Sequence, residues 1–394
     1  MLDFLNAAAE IRGEIVALRR AIHECPELGT EEEKTAQKIE SCLRSLGIET
    51  KRCYKTGVVG LLRGARPGPT VAFRADIDAL PIEEKTNAAY ASKNAGVMHA
   101  CGHDAHAAAL LGTAKLLANA REHLDGNIKF LFQPDEEGNG GAAKMVAEGC
   151  MRDPDVNAVF GAHVSPSLPA GIVGVMPGKA YAASNMFWIT VKGKGSHGAR
   201  PHEGVDAIAI GAQIVSALQQ YVSRQTDPLD SAVVSVGTFH SSGAPNAIAD
   251  EVKMRGIIRT LGPEMRAKTV EAVRRIVTGT GEAMGALVEI EIREGHAGIV
   301  NDPGMTDFVA EAVSELLGPD KLTHIDKPSM GTEDFGVFLE HTPGTFYSFG
   351  TANEGKGINA PLHNSTFDVD EDSLHILSAL HAAIAYRYFQ KYKK

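Results

Sequence analysis

The sequence predicts an α/β protein: a mixed-sheet α/β sandwich interrupted by an inserted ferredoxin-like α+β unit. Three observations predict it. Short apolar runs at Thr70–Ile77, Asn127–Phe132 and Ala158–Gly161 each finish in polar groups, with helical stretches between most of them. From about Ser184 the rhythm changes to β-α-β-β-α-β, the element order of a ferredoxin-like unit. Glycines and prolines punctuate both edges of that stretch, from Gly171 to Gly178 and from Gly295 to Pro303. The expected division is residues 1–183 with 295–394 as one domain and 184–294 as the insert. A chain of 394 residues is long enough for both.

Residues 5–22 and 30–46 repeat apolar side chains at three- and four-residue spacing and read as helices. Between them, Pro26 and Gly29 break the pattern, and Thr30 with Glu33 resembles a capping box. His23 and Glu24 read as turn residues there. Val58–Leu62 and Thr70–Ile77 are strands, the second running into Arg74-Ala75-Asp76-Ile77-Asp78-Ala79-Leu80-Pro81. Charges at the C-terminal end of an apolar strand are where open α/β sheets place their ligands. Ala107–Ala120, rich in Ala and Leu, reads as a buried helix. Asn127–Phe132 leads into Gln133-Pro134-Asp135-Glu136-Glu137-Gly138, and Ala158–Gly161 into Ala162-His163-Val164.

In the insert, Met186–Val191, Ala232–Phe239, Glu251–Thr260 and Leu287–Arg293 are expected strands, with helices over Asp206–Arg224 and Pro263–Thr280. After Pro303, Met330–Phe335 reads as a loop opening a helix, Thr345–Phe349 as a strand, Pro361–Ser365 as a loop and Asp370–Tyr392 as a terminal helix.

Apolar residues make up 44% of the chain and charged residues 22%, ordinary values for a globular protein. The N-terminal pattern Met1-Leu2-Asp3-Phe4-Leu5 is not that of a signal peptide, and no apolar segment is long enough to span a bilayer. Five cysteines at irregular spacing argue against a disulfide framework and for a reducing, cytoplasmic compartment. A net charge of -10 disfavours nucleic acid and anionic membrane as partners. The stretch Gly138-Asn139-Gly140-Gly141 lacks a complete phosphate-binding fingerprint.

The densest chemistry lies in Met98-His99-Ala100-Cys101-Gly102-His103-Asp104-Ala105-His106. Gly102 lets the backbone turn so that Cys101 and His103 can face one ion, and Asp104 or a neighbour could cap the helix that follows. Taken singly, a core Cys or His is usually a packed residue. Three imidazoles buried together are costly without a partner, and a thiolate beside imidazole suits zinc or a similar metal. Glu136 and Glu137 allow two readings: exposed turn carboxylates, or one ligand and one general base. His363 lies far away in sequence, as a ligand closing a site from a returning strand often does.

These stretches, with Gly161-Ala162-His163, Ser196-His197-Gly198-Ala199-Arg200-Pro201-His202, Pro245-Asn246-Ala247-Ile248, Met330–Phe335 and Leu362-His363-Asn364, run in order over nearly the full chain. Jointly they resemble the N-acyl-amino-acid amidohydrolases of the hippurate hydrolase type. That group includes the plant auxin-conjugate hydrolases and belongs to the aminoacylase and carboxypeptidase superfamily of dinuclear metallohydrolases. The resemblance implies a catalytic domain with an inserted lid that usually mediates homodimerisation, and two divalent metal ions per subunit (zinc, manganese, cobalt or nickel). It implies Cys101, His103, Glu137, His163 and His363 as ligands and Glu136 as general base. It also implies His197 as an oxyanion stabiliser, and Asn246 and Arg259 as holders of a substrate carboxylate. Arg74-Ala75-Asp76 and Cys101 depart from the wider superfamily, which often has His-x-Asp and a bridging Asp, but agree with the hippurate hydrolase branch; the role of Asp76 stays open. The substrate implied is a small N-acyl amino acid. A dipeptidase or metallocarboxypeptidase is the alternative, and an inactive metal-binding protein would lack ligands that are all present here.

Overall fold

Apolar runs punctuated by glycine and proline define the elements, which the computed structural model describes for residues 2–138, 140–241 and 243–392. Asn139, within the glycine-rich stretch above, lies outside the described residues. The chain divides into two compact units: Met1–Gly178, Val300–Lys327 and Asp334–Lys394 form the first, Lys179–Ile299 and Pro328–Glu333 the second. The first unit opens with helices α1 (Phe4–Glu10), α2 (Arg12–His23) and α3 (Glu33–Ser45), then strands β1 (Glu49–Arg52), β2 (Val58–Arg63) and β3 (Arg66–Asp76). Helix α4 (His103–Asn119), β4 (Asp125–Gln133), α5 (Gly141–Ala147), β5 (Ala158–Pro169) and β6 (Val173–Val175) follow. The second unit holds β7 (Ala183–Lys192), α6 (Ala207–Arg224), β8 (Ala232–Ser241), β9 (Glu251–Thr260), α7 (Pro263–Ala283) and β10 (Leu287–Glu294). The first unit resumes with α8 (Pro303–Leu317), β11 (Leu322–His324), α9 (Gly336–Leu339), β12 (Gly344–Ala352) and α10 (Leu374–Lys391).

The first unit's sheet has the order β1-β2-β4-β3-β5-β12-β6-β11. Its centre is parallel, with β4, β3, β5 and β12 running the same way, while β1, β2 and β6 add antiparallel pairings. The sheet is therefore mixed, as expected. From Thr70 onward every residue of β3 is buried, as a strand covered on both faces must be. Helices α4 and α10 pack on β3, α3 on β1 and β2, and α8 on β12. Phe73, Phe130, Phe160, Leu110, Phe308 and Leu380 share this core. Register brings the strand ends level: Asp76 pairs with Gln133 and Arg74 with Gly161, so His163, two residues on, reaches the height of Asp76.

The second unit's sheet has the order β8-β9-β7-β10 and is antiparallel throughout. Its first strand in sequence thus lies between its third and fourth, the ferredoxin-like arrangement. Phe187, Ile214, Leu218, Val252, Ile258 and Val273 form a separate core under α6 and α7.

Four local expectations change. The helix expected over 5–22 breaks at Ile11, so that α1 packs on α10 while α2 packs on α4. Thr30 does not cap α3: its φ is 71°, and the N-cap position falls to Glu32 with no side-chain bond. Helix α4 starts at His103 rather than Ala107, because left-handed Gly102 (φ 84°) takes the N-cap position; Asp104 lies in the first turn and does not cap. Strand β5 continues to Pro169 because β12 pairs with it that far, so His163 lies inside the strand rather than beyond it. Among the described residues no helix is long and apolar enough to cross a membrane.

Candidate metal centre

The start of α4, the loop after β4, strand β5 and the loop after β12 bring five scattered side chains together. Ligand atoms of Cys101, His103 and His163 lie within 4.8 Å of one another, and so do those of Cys101, Glu137 and His363. Cys101 belongs to both groups. Its Sγ is 3.4 Å from His163 Nε2, and His363 Nε2 is 2.9 Å from Glu137 Oε1. Glu136 joins His103 and Glu137 in a further cluster of the same tightness, and it is buried. Two contiguous groups of three donors that share a thiolate fit a pair of small divalent cations.

Local backbone aims these groups. At Gly102 a Cβ would lie 2.4 Å from Val164 Cγ2, and the φ of 84° is one that side chains rarely adopt. Only glycine lets the chain turn between the two candidate ligands Cys101 and His103. Asp135 (φ 59°) and His363 (φ 61°) are also left-handed, without being glycine. Such conformations cost about 1–3 kcal/mol each and persist where surrounding bonds over-determine them. Here the Asp135 amide donates to Glu32 Oε1 at 3.0 Å, the Glu137 amide to Asp78 Oδ2 at 2.9 Å, and the His363 amide to Ala100 O at 2.8 Å.

Partners also fix the imidazoles. His103 Nδ1 donates to Asp78 Oδ1 at 3.0 Å, and its Nε2 makes no hydrogen bond. His163 Nδ1 donates to Val164 O at 2.8 Å, which turns Nε2 toward Cys101. A carboxylate or carbonyl on the far nitrogen is how metal-binding histidines are usually oriented. Burial, with His106 beside it, lowers the His163 pKa to about 3 and keeps that ring neutral. Burial alone would raise the Glu137 pKa, but His363 and His103 take it down to about 2. Burial pushes the Cys101 thiol up. Entering cations must displace such protons, so their affinity falls as pH falls.

The other two imidazoles of the 98–106 stretch lie outside the two donor groups that share Cys101. His106 Nδ1 is 2.5 Å from Asp76 Oδ1, while its Nε2 accepts the Val164 amide at 2.9 Å, so both nitrogens are spent. His99 is buried without a hydrogen bond at either nitrogen, and burial holds its pKa down at about 4. Asp76 acts as a buried counter-ion, receiving Arg74 NH1 at 2.6 Å as well as His106. Arg74 also donates to Gln133 Oε1 at 2.7 Å and to Asp334 Oδ1 at 3.1 Å, which locks the ends of β3 and β4 together.

The profile of peptidase family M20/M25/M40 matches residues 72–387. The chain belongs to the M20 peptidase family. This M20 protein is 42% identical over 392 residues to the thermostable carboxypeptidase 1 of Saccharolobus solfataricus, covering 98% of each chain. It is 46% identical over 294 residues to the N-acyl-L-amino acid amidohydrolase of Geobacillus stearothermophilus, covering 74% of this chain and 79% of that one. A solved Bacillus subtilis structure, described as a dinuclear metal binding peptidase from the M20 family, matches with a TM-score of 0.85 at 35% identity, covering 97% of this chain and 99% of the other. The M20 chain is a metal-dependent hydrolase on these grounds together with its donor clusters.

In the M20 protein's second unit, Ser196–His197 pairs with Ala247–Ile248 in a short antiparallel ladder, and the Gly198 amide donates to Asn246 O at 2.7 Å. His197 Nδ1 accepts the Ala199 amide at 3.0 Å, which leaves Nε2 as the ring nitrogen that can donate. Arg259 lies on β9 opposite Ser184 and Val233, and burial lowers its pKa.

Asp78 is the residue that sequence reasoning left without a role. Its two oxygens hold the His103 ring and the Glu137 backbone at once. Its signal was the charged end of β3, where Asp76 and Asp78 could not be told apart. Asp78→Asn is expected to weaken metal affinity by about 10–100-fold, the usual cost of losing such a partner. Titrating stripped protein against a chromogenic chelator measures this, and unchanged affinity would deny Asp78 an orienting role.

Proposed function

We propose that this M20 hydrolase cleaves the amide bond of N-acyl amino acids, acetyl- and benzoyl-amino acids among them, giving a carboxylic acid and a free amino acid. The observation that carries the proposal is the membership of Cys101 in both three-donor groups, with the buried carboxylate of Glu136 beside them. Cys101, His103, Glu137, His163 and His363 would hold two divalent cations. Such a pair, when bound, polarises an amide carbonyl and lowers the pKa of water from about 15.7 toward about 7. Glu136 takes the proton of the attacking water and returns it to the departing amine. The Nε2–H of His197 is assigned to the developing oxyanion, and Asn246 and Arg259 to the amino-acid carboxylate. The second unit serves as lid and as the contact of a homodimer.

The relative named as an N-acyl-L-amino acid amidohydrolase supports the acyl substrate. The relative named as a carboxypeptidase supports peptides as the competing class. The test is a panel of N-acetyl- and N-benzoyl-amino acids beside matched dipeptides. It is run after metal removal and restoration with zinc, manganese, cobalt or nickel singly. The acylated substrates are expected to give the higher kcat/KM with at least one metal. Preference for the dipeptides with every metal would replace this reading by the dipeptidase or carboxypeptidase one.

A further inference from the structure

Two cysteines of the first unit take no part in the metal centre. Cys53 follows β1, Cys150 follows α5, and both are free and buried. Both line the same pocket and converge on one carbonyl oxygen, that of Met145. Cys53 Sγ donates to Met145 O at 3.5 Å, and the Cys150 amide donates to the same oxygen at 3.1 Å. Lys129, buried in the middle of β4, reaches under them and donates from Nζ to Cys150 O at 3.0 Å and to Arg152 O. A pocket of about 450 Å³ is lined by Cys53, Lys129 and Cys150, with Lys51, Arg63 and Arg152 but also Glu49, Glu148 and Asp153 around it.

Two buried thiols alone would be packed small hydrophobes. Lys129, bonded to the Cys150 carbonyl, brings a cation into the same pocket, and a nearby cation favours thiolate, the nucleophilic form. The pair is also unequal. Interaction between the two thiols lowers the Cys53 pKa and, with burial, raises that of Cys150. Cys53 is therefore the nucleophile and Cys150 the resolving thiol.

We propose that Cys53 and Cys150 form a redox-active dithiol, which a hydroperoxide entering this pocket oxidises to a disulfide. Cys53 thiolate attacks one peroxide oxygen, the O–O bond breaks, and hydroxide leaves with its electron pair, giving a sulfenic acid on Cys53. Cys150 sulfur then attacks the Cys53 sulfur, the S–O bond breaks, and water leaves as the S–S bond forms. The two thiols lose two electrons and two protons in all, and hydrogen peroxide becomes two waters. The new bond would tie the Cys53–Gly57 turn to the end of α5. That turn matters for the metal centre, because the Thr56 hydroxyl donates to Glu32 Oε2 at 2.5 Å, and Glu32 receives the Asp135 amide beside Glu136.

The metal-loaded full chain is titrated with hydrogen peroxide, quenched with iodoacetamide in denaturant, and mapped without reduction. The expected product is a peptide joining Cys53 to Cys150, lighter than the two separate peptides by two hydrogen atoms. It forms at doses that leave the partly exposed Cys25 and Cys42 alkylatable, and dithiothreitol reverses it. The unfolding midpoint rises by several degrees on oxidation and returns on reduction, because the bond closes a long loop. In Cys150→Ser the bond is lost, and Cys53 is trapped by dimedone as its sulfenic acid. Cys53 and Cys150 still alkylated after Cys25 and Cys42 are consumed would overturn the proposal. So would cross-links that join either of them preferentially to another cysteine. The mapping of the unmutated chain decides the matter even should a variant fail to fold.

Discussion

Glu136→Gln is expected to lower kcat by roughly 10²–10⁴-fold, the usual worth of a general acid–base, while the bound metal is retained. Glutamine keeps the shape and the buried fit of the side chain and loses only the ability to take a proton. KM should change little, since the interaction removed belongs to the transition state. Glu136 also lies within one tight cluster with His103 and Glu137, so a ligand role is the competing outcome. Metal content separates the two. Activity lost with full metal identifies a base, activity and metal lost together identify a ligand, and near-normal kcat leaves Glu136 with neither role. Glu137→Gln is the comparison, because Glu137 shares a donor group with Cys101 and His363 and should lose metal.

The difference between these neighbouring glutamates shows what the sequence made legible and what it hid. The adjacency of Glu136 and Glu137 at a strand end was plain, and so was the run holding Cys101 and His103. The resemblance to a hydrolase family then implied Glu137 as ligand and Glu136 as base. The three imidazoles of the 98–106 stretch looked alike, because what distinguishes them comes from other parts of the chain. Asp78 takes one nitrogen of His103 and leaves the other free, whereas Asp76 and the Val164 amide consume both nitrogens of His106. The central strands were legible because burial on both faces demands continuous apolar runs, as in β3. Ends were less so. The start of α4 depends on the φ of Gly102, and the length of β5 on pairing with β12, nearly two hundred residues later in the chain. Arg19 illustrates the same limit, since on an amphipathic helix it passes for a solvated position.

Arg19→Met is expected to destabilise the first unit by roughly 3–5 kcal/mol, the cost of breaking a buried ion pair from one side. The Arg19 side chain is fully buried, and its Nε donates to Asp104 Oδ2 at 2.6 Å. Its other nitrogens reach Asp368 Oδ1 at 2.8 Å and Glu371 Oε1 at 3.2 Å. Methionine fills similar space but leaves Asp104, itself fully buried, with His23 as its remaining cation, Nδ1 to Oδ2 2.7 Å. Asp104 follows His103 in the first turn of α4, so the same change loosens the anchor of a candidate metal ligand. Burial and the Arg19 charge would lower the His23 pKa, but the Asp104 charge, with hydrogen bonds to Asp104 and Glu84, raises it to about 9 from 6.5. The stability this proton confers is fully present below pH 6.5 and is lost as pH rises through about 9. Arg19 opposes this proton, so in Arg19→Met the fall of the urea midpoint should continue above pH 9, where the parent has levelled off. Arg20→Met is the control: half-exposed Arg20 also meets Glu371, at 2.6 Å, yet a solvated pair of that kind contributes only about 0–1 kcal/mol. Equal losses from the two substitutions would mean that His23 alone satisfies Asp104, and that Arg19 is held in the core by its packing rather than by its charge.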